Sequence, residues 1–467
     1  MAEIQKKFKL AIMPGIADLY NRAWPEMQKQ LKDFVKKITA ELRDIGFDVY
    51  SCSPVSTQQQ VEAACSTFSQ DKVDVLIVSL APYCPSGVLA PALIKCDIPI
   101  LVWPTQGMFE LEPEKYDFEI VLLNHGVHAV QDLANVLRRS EKAFGVIHGH
   151  LQQKDFKQEL ENWVRAGRAI CAMRDAKAVQ IGGHFEDMLD LQIGKDEFLK
   201  KMGLRPKVVS LDEFAKMLSS VTDKQIQECV ERYRVTFDIG DKVDESLLSK
   251  TARGEAAVRS IMSEHDSYAC GLNFLELCND NRIADGLHVT ASMLMRDGMG
   301  YAGEGDWVTA VLVRAMQQGF GTASFSEMFS VGYADNRLVL KHWGEGNFAM
   351  ARGKPRMCYS SLKDSINAEF AIVDFEFESG RAALVNLNST PAGQGQLISI
   401  AGKITKDHLP KVDGPRAVFK SDCEDVRDLL TEYAYNGGSH HLALVQGDPA
   451  DVLEKVSRLS GWLYISM

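Results

Sequence analysis

Short apolar runs alternate with amphipathic helical stretches over residues 8–147, and this alternation restricts the fold more than any other feature of the sequence. The apolar runs have the composition of buried strands and lie at residues 8–13, 73–80, 98–103, 120–123 and 144–147. Residues 27–45 and 130–137 place apolar side chains at helical spacing between them. Strands separated by helices form a parallel sheet with helices on both faces. We therefore expect a doubly wound α/β domain.

The turn after the first predicted strand argues against a nucleotide cofactor. In dinucleotide-binding domains of this class, the pattern GxGxxG follows the first strand and lets the backbone approach the pyrophosphate. Here Gly15 stands without that pattern. The sequence therefore argues against an NAD site.

Chain length and a change of pattern predict the domain organisation. A chain of 467 residues is too long for one ordinary hydrophobic core. Its middle third is helix-rich, whereas beyond residue 323 apolar and polar residues alternate between glycine turns, which is typical of antiparallel strands. We predict three domains: an α/β domain at residues 1–172, a second α/β domain at residues 173–322 and a β-rich domain at residues 323–467.

Composition and charge exclude several classes of protein. With 46% hydrophobic and 25% charged residues, the chain has the composition of a folded globular protein. Its formal charge of -11 argues against a surface that neutralises nucleic-acid phosphates. The ten cysteines contain no CxxC pair, which favours reduced thiols over a zinc ribbon or a disulfide scaffold. No apolar run of about eighteen residues occurs, and the first residues are too polar for a signal peptide. We expect a cytoplasmic protein that binds neither nucleic acid nor membranes.

Two glutamates and three histidines lie at glycine turns or strand ends, where a side chain can face a cleft. Glu304 is flanked by glycines in the segment GEGDW, and Glu327 follows a helix stop where the third region begins. His342 ends a strand-like run, and His440 and His441 precede another. Each residue alone is ordinary, but carboxylates and imidazoles together are the ligand types that hold a divalent metal. The set therefore predicts a metal centre.

In this order, the motifs resemble the L-arabinose/L-fucose isomerase family. Its members have a GEGDW segment, a second glutamate, a histidine with a glutamate three residues later, and a glycine-led HH pair. Here the later glutamate is Glu345. The resemblance extends to residues 124–128 and 271–274 and so covers most of the chain. It implies an aldose–ketose isomerase with a Rossmann-like N-terminal domain, a second α/β domain and a β-rich, barrel-like C-terminal domain.

The resemblance also implies roles for individual residues. The residues implied as ligands of a divalent metal, most often Mn²⁺ with Co²⁺ or Mg²⁺ as alternatives, are Glu304, Glu327, His342 and His441. The residues implied in substrate binding are His128, Phe274, His440 and Glu345. The family assembly further implies a homo-oligomer, a hexamer, in which His128 reaches the active site of a neighbouring subunit.

Aldose–ketose isomerisation moves a proton between two adjacent carbons while a cation neutralises the charge that develops on oxygen. We hypothesise that Glu304 and Glu327 form the acid/base pair and that the reaction passes through a cis-enediol. Ile16 and Val308 replace polar residues of the family pattern, which leaves the sugar open between pentoses and hexoses. Two alternatives are a non-catalytic sugar-binding or regulatory protein and a metal-dependent hydrolase or lyase of sugar derivatives.

Overall fold

The computed structural model describes residues 7–192, 197–361 and 368–467, which group into two compact units. The smaller unit contains the described residues up to Cys171 together with Asp451–Trp462. The larger unit contains Ala172–Ala450 and Leu463–Met467 within the described ranges. None of the helices in these ranges is long and apolar enough to cross a membrane.

Strands and helices account for most of the described chain. The strands are β1 (Lys9–Pro14), β2 (Asp48–Ser51), β3 (Val75–Ser79), β4 (Ile100–Trp103), β5 (Gly145–Val146), β6 (Val179–Ile181), β7 (Lys207–Val209), β8 (Asp238–Ile239), β9 (Ala269–Leu272), β10 (Gly300–Ala302), β11 (Ala323–Gly332), β12 (Arg337–Lys341), β13 (Arg356–Ser361), β14 (Glu369–Glu376), β15 (Gly380–Ser389), β16 (Gly395–Ile404), β17 (Pro415–Ser421), β18 (His441–Gln446) and β19 (Leu463–Ser466). The helices are α1 (Asp18–Ala23), α2 (Pro25–Ile45), α3 (Gln58–Gln70), α4 (Ser86–Lys95), α5 (Phe118–Leu123), α6 (Gly126–Arg139), α7 (Phe156–Arg174), α8 (Glu197–Lys201), α9 (Leu211–Ser220), α10 (Asp223–Thr236), α11 (Glu245–Glu264), α12 (Phe274–Asn279), α13 (His288–Arg296), α14 (Trp307–Phe320), α15 (Val426–Tyr435) and α16 (Ala450–Ser460).

The smaller unit is built on the predicted parallel sheet. Its strands have the order β2-β1-β3-β4-β5, and all four pairings are parallel. The interior strand β1 is buried from Leu10 to Met13, as expected for a sheet covered on both faces. The predicted strands at residues 8–13, 73–80, 98–103 and 144–147 are confirmed.

The predicted strand at residues 120–123 is wrong, because this segment lies in helix α5. Asp117 precedes the helix, and its side chain accepts a hydrogen bond from the backbone N–H of Ile120 at 2.8 Å. Such a cap satisfies one of the backbone N–H groups that have no partner within the first turn of a helix. A run of four apolar residues is too short for its periodicity to distinguish a strand from a helix. The capping aspartate was the feature of the sequence that indicated a helix.

The larger unit contains a four-stranded parallel sheet, β10-β9-β6-β7, and a ten-stranded mixed sheet. Within the mixed sheet, six neighbouring strands follow the order β16-β15-β18-β11-β12-β17 through antiparallel pairings. The last strand, β17, also pairs with the first, β16. This pairing closes a six-stranded antiparallel barrel, so the α/β fold class with a β-rich, barrel-like C-terminal part is confirmed.

Strand register in the barrel brings separate parts of the chain together. In β11, Glu327 is the partner of His441 on β18 and of Lys341 on β12. His342 directly follows Lys341. Because paired residues of adjacent strands lie side by side, one end of the barrel holds three of the predicted metal ligands.

We predict that Gly126→Ala destabilises the protein by about 1–3 kcal/mol. Gly126 begins α6, and a Cβ atom there would overlap the carbonyl oxygen of Leu80. The matched control is Gly87→Ala in the first turn of α4, where a Cβ atom meets nothing within 4 Å. That change should leave the free energy of unfolding unchanged or raise it slightly, because alanine is the better helix former. Urea unfolding of both variants measures the difference, and equal stabilities would contradict the packing of α6.

Candidate metal centre

Glu304 lies in a backbone turn between the parallel sheet and helix α14. Its φ is +50°, in the left-handed region that non-glycine residues seldom occupy, and Gly305 follows with φ +76°. The backbone N–H of Phe185 donates to the carbonyl oxygen of Glu304 at 3.0 Å, and Gln180 donates to that of Gly305 at 2.7 Å. This unusual conformation is therefore held by hydrogen bonds from β6 and from the loop that follows it, as expected where the surroundings stabilise backbone strain at a functional site.

Four of the predicted residues converge through their side chains. Nε2 of His441 lies 2.9 Å from Oε2 of Glu304 and 3.2 Å from Oε1 of Glu327. Nε2 of His342 lies 3.4 Å from Oε1 of Glu304 and 3.3 Å from Oε1 of Glu327. Glu304 and both histidines are buried, and Glu327 is half-buried. The chain thus places two imidazole nitrogens and two carboxylates around one point.

Each imidazole has a further carboxylate behind it. Nδ1 of His441 is hydrogen-bonded to Oδ2 of Asp306 at 2.9 Å, and Nδ1 of His342 lies 2.8 Å from Oε1 of Glu345. A carboxylate that accepts from Nδ1 leaves Nε2 free to act as a ligand. Asp306 is itself held by the backbone N–H groups of the first turn of α14, which its other oxygen caps at 3.0 Å. The ring of His441 is therefore fixed by a hydrogen bond with Nε2 towards the glutamates, whereas Nδ1 of His342 lies close to Glu345 without an aligned hydrogen bond.

Phe325, on β11, fills the space between the two imidazoles. Its ring centroid lies 4.8 Å from that of His342 and 4.8 Å from that of His441, and both pairs are close to perpendicular. Edge-on aromatic packing of this kind restricts ring rotation. Phe325 and Asp306 both contribute to the centre, although the sequence analysis selected neither. The position of Asp306 just before the apolar helix α14 is an N-cap signal that could have identified it.

The carboxylates control the protonation of the two histidines. Burial by itself would lower the pKa of His342, but Glu345 and Glu304 outweigh it and raise the pKa well above its ordinary value. Burial would also lower the pKa of His441, but Asp306 and Glu304 outweigh this effect and raise the pKa well above its ordinary value. For Glu304, burial would raise the pKa, but the two histidines hold it well below its usual range. These shifts favour the positively charged imidazolium form of both rings.

The donor set fits a divalent cation. Oε2 of Glu304 and Nε2 of His441 are buried and make no hydrogen bond within the described residues, although they lie 2.9 Å apart. Two polar atoms that face each other without a properly aligned hydrogen bond are costly unless a third group satisfies both. A set of carboxylate oxygens and imidazole nitrogens suits Mn²⁺, Co²⁺ or Mg²⁺ better than metals that prefer thiolates. A cation bound here would displace the imidazole protons.

Glu345 and His440 lie beside the converged set in different settings. Glu345 is buried and also accepts from the Tyr301 hydroxyl at 2.9 Å and from the backbone N–H of Gly344 at 2.9 Å. His440 is half-buried, and its Nδ1 contacts Oδ2 of Asp190 at 2.6 Å. One ring nitrogen of His440 also lies within 4.8 Å of donor atoms of Glu327 and His441. The buried Glu345 is placed to orient His342, whereas His440 is partly exposed to solvent.

Phe274 packs away from the converged set. It begins α12, is buried, and belongs to an apolar cluster with Cys278, Phe370 and Ile372. Its ring centroid is 5.9 Å from that of His288, which contacts Glu345 through Nδ1 at 3.0 Å. Its predicted contact with a substrate stays a prediction.

His128 lies in the smaller unit, where it forms a short relay with two other side chains. Its Nδ1 is 2.9 Å from Nε2 of His125, whose Nδ1 is 3.4 Å from the Tyr20 hydroxyl. Which of the two facing nitrogens donates depends on the tautomers of the two rings. The ring of His128 is exposed.

Comparisons with known proteins place these residues in a family context. Three family models match consecutive parts of the chain: the L-arabinose isomerase N-terminal domain over residues 5–175, the central domain over residues 194–319 and the C-terminal domain over residues 322–462. Among solved structures, a solute-binding protein of an ABC transporter from Burkholderia multivorans matches with a TM-score of 0.16 and 12% identity, covering 67% of this chain and 96% of that chain. That score is too low to support an argument.

Curated relatives match along nearly the whole length. An L-arabinose isomerase from Thermotoga petrophila is 26% identical over 452 residues, which span 94% of this chain and 89% of the relative. An L-arabinose isomerase from Mannheimia succiniciproducens is 23% identical over 467 residues, which span 97% of this chain and 93% of the relative. Since the three family models together span the chain and the relatives match it from end to end, the chain belongs to the L-arabinose isomerase family of aldose–ketose isomerases.

Proposed function

We propose that this protein is a metal-dependent isomerase that interconverts the aldose and ketose forms of a pentose or hexose. The observation that carries the proposal is the convergence of two carboxylates and two imidazole nitrogens on one point, where Glu304 Oε2 and His441 Nε2 make no hydrogen bond within the described chain. Glu304, Glu327, His342 and His441 would hold the cation. When bound, a divalent cation polarises the sugar oxygens and stabilises the negative charge that develops on them.

The two glutamates supply the proton transfer. A proton must leave C2 of the aldose and arrive at C1, which requires a carboxylate base close to both carbons. The side chain of Glu327 is 13% exposed and that of Glu304 is 5% exposed, so both carboxylates are largely desolvated. We assign them as an acid/base pair in which one moves the carbon proton through a cis-enediol and the other moves the hydroxyl proton.

The choice of sugar is left open by two buried positions. Ile16 in the smaller unit and Val308 in α14 are both buried, so neither offers a polar group to a bound sugar. Hydrogen bonds from polar side chains are what discriminates between sugars that differ in their hydroxyl groups. We therefore assign the substrate class as pentose or hexose rather than arabinose alone.

We further propose that the active form is a homo-oligomer, of which a hexamer is the family assembly. The smaller unit exposes large apolar side chains, with Leu111 71%, Phe118 68% and Leu19 61% exposed. Phe118 is in edge-on contact with Trp24, with ring centroids 6.2 Å apart, and neighbouring exposed apolar side chains are typical of a protein–protein contact. In such an assembly, His128 would form a hydrogen bond with sugar bound in a neighbouring copy.

Removing the metal should abolish activity, and Mn²⁺ or Co²⁺ should restore it best. Because both ligand histidines must lose protons first, the affinity for Mn²⁺ should fall as pH falls, and calorimetry should record proton release on binding. His441→Ala should weaken Mn²⁺ binding at least about 100-fold. His440→Ala is the matched control and should have a much smaller effect. Full activity in chelated protein would end the metal assignment.

With a competent aldose in heavy water, deuterium should appear at C1 of the ketose. Glu304→Gln and Glu327→Gln should each abolish this exchange, since an amide has nearly the same volume but accepts no proton and ligates a hard cation weakly. Glu378→Gln serves as the control, because this glutamate is 52% exposed at the surface of the larger unit. Mass spectrometry of the product measures the exchange, and turnover without solvent deuterium would favour a hydride shift.

Co-expression of two inactive variants tests the shared active site. Protein assembled from His128→Ala and Glu304→Gln chains should regain part of the activity, because a mixed assembly contains sites with one intact contribution from each chain. Each variant expressed alone should stay inactive. Light scattering gives the assembly size, and a fully active monomer would contradict the proposal.

A further inference from the structure

Helix α2 carries a stripe of polar side chains at helical spacing. Lys32, Lys36, Thr39 and Arg43 follow one another at intervals of four, three and four residues, which places them on one face of the helix. This face borders a cavity of about 400 Å³. The residues lining the cavity are Lys32, Val35, Lys36, Thr39, Arg43, Ser51, Cys52, Ser53 and Pro54.

The charge of the cavity is opposite to that of the protein. Three of its lining residues are cationic and none is acidic, whereas the whole chain has a formal charge of -11. Lys36 has one acidic neighbour, Asp33, at 3.2 Å, but both side chains are exposed and such pairs contribute little. Lys32 has no acidic partner within the described residues. A concentration of unmatched positive charge in a concave surface attracts anions.

Thr39 supplies a second, independent indication of a ligand. Its side chain is 4% exposed, and its hydroxyl oxygen has no hydrogen-bond partner among the described residues. Buried hydroxyl groups nearly always have a partner, because leaving one unsatisfied costs folding free energy. An oxygen of a bound anion would accept the hydroxyl proton.

The walls of the cavity suit an anionic ligand that carries a small organic group. Val35 and Pro54 are buried apolar residues, and Ser51 and Ser53 add hydroxyl groups at the rim. Burial raises the pKa of the Cys52 thiol to about 11, so this residue adds no negative charge near neutral pH. A volume of this order is typical of sites for small molecules.

The cavity lies at the carboxyl end of the edge strand β2. Ser51 is the last residue of β2, and the lining continues through Cys52 to Pro54 in the loop that follows. The cavity belongs to the smaller unit, whereas the metal centre consists of residues of the larger unit.

We propose that this cavity binds a small organic phosphate, with its phosphate group held by Lys32, Lys36 and the Thr39 hydroxyl. Lysine provides a point charge for phosphate, and the hydroxyl provides a directed hydrogen bond. This site is independent of the proposed sugar isomerisation, because it uses none of the residues assigned to that reaction.

Calorimetry on the full-length protein tests the site with glycerol 3-phosphate as the probe and glycerol as the uncharged control. Glycerol 3-phosphate should bind and glycerol should not. Lys32→Ala should weaken binding about tenfold, in keeping with the loss of one charge-assisted contact. Thr39→Val should also weaken binding while the melting temperature stays equal or rises, because the unsatisfied hydroxyl is removed at nearly constant volume. Lys37→Ala removes the same charge from the same helix outside the cavity and should leave binding unchanged.

Three results would overturn the proposal. Undetectable binding of glycerol 3-phosphate at millimolar concentration would exclude the site. Equal weakening by Lys37→Ala and Lys32→Ala would mean that the helix attracts anions without a defined pocket. Inorganic phosphate that binds as tightly as glycerol 3-phosphate would overturn the assignment to an organic phosphate. The combination of weaker binding and unimpaired stability in Thr39→Val distinguishes a binding role for the hydroxyl from damage to the fold.

Discussion

The balance of charge between imidazoles and carboxylates is the constraint on which the larger unit depends. Two imidazoles are surrounded by four carboxylates, which belong to Glu304, Glu327, Asp306 and Glu345. Without a cation, the raised pKa values favour the imidazolium form of each ring, so the two rings carry two positive charges. A divalent cation that replaces these two protons leaves the net charge of the centre unchanged. The same carboxylates would stabilise either set of positive charges.

The geometry of that balance comes from β-sheet register. Glu327 faces His441 across one strand boundary and Lys341, the neighbour of His342, across the other. A shift of one residue in β11 would turn the Glu327 side chain to the opposite face of the sheet. Residues 323–326 at the start of β11 are buried on both faces of the strand, and such a shift would remove Phe325 from its place beside the two imidazoles. Register thus fixes the distances between ligands that are far apart in the sequence.

The sequence predicted the parts of this structure that depend on local pattern or on motif order. The parallel sheet of the smaller unit follows from strand and helix periods, and the motifs beginning with GEGDW selected the four residues that the structure brings together. Helix α5 escaped prediction because a short apolar run has no period. The contact of Asp306 with His441 joins residues 135 positions apart, which single-sequence patterns do not encode. The three-domain division and the role of His128 stay predictions.

Closure of the barrel has a consequence for how the protein opens. β11 is bonded to β12 on one side and β18 on the other, and β18 is bonded to β11 and β15, so neither is an edge strand. Fraying and edge-to-edge aggregation begin at unpaired strand edges, and these two strands offer none. Their amide hydrogens should exchange with solvent through the largest opening motions of the unit rather than through local ones. Loops at the rim can then change length or sequence, as a family acquires new substrates, without loosening the strands that hold Glu327 and His441.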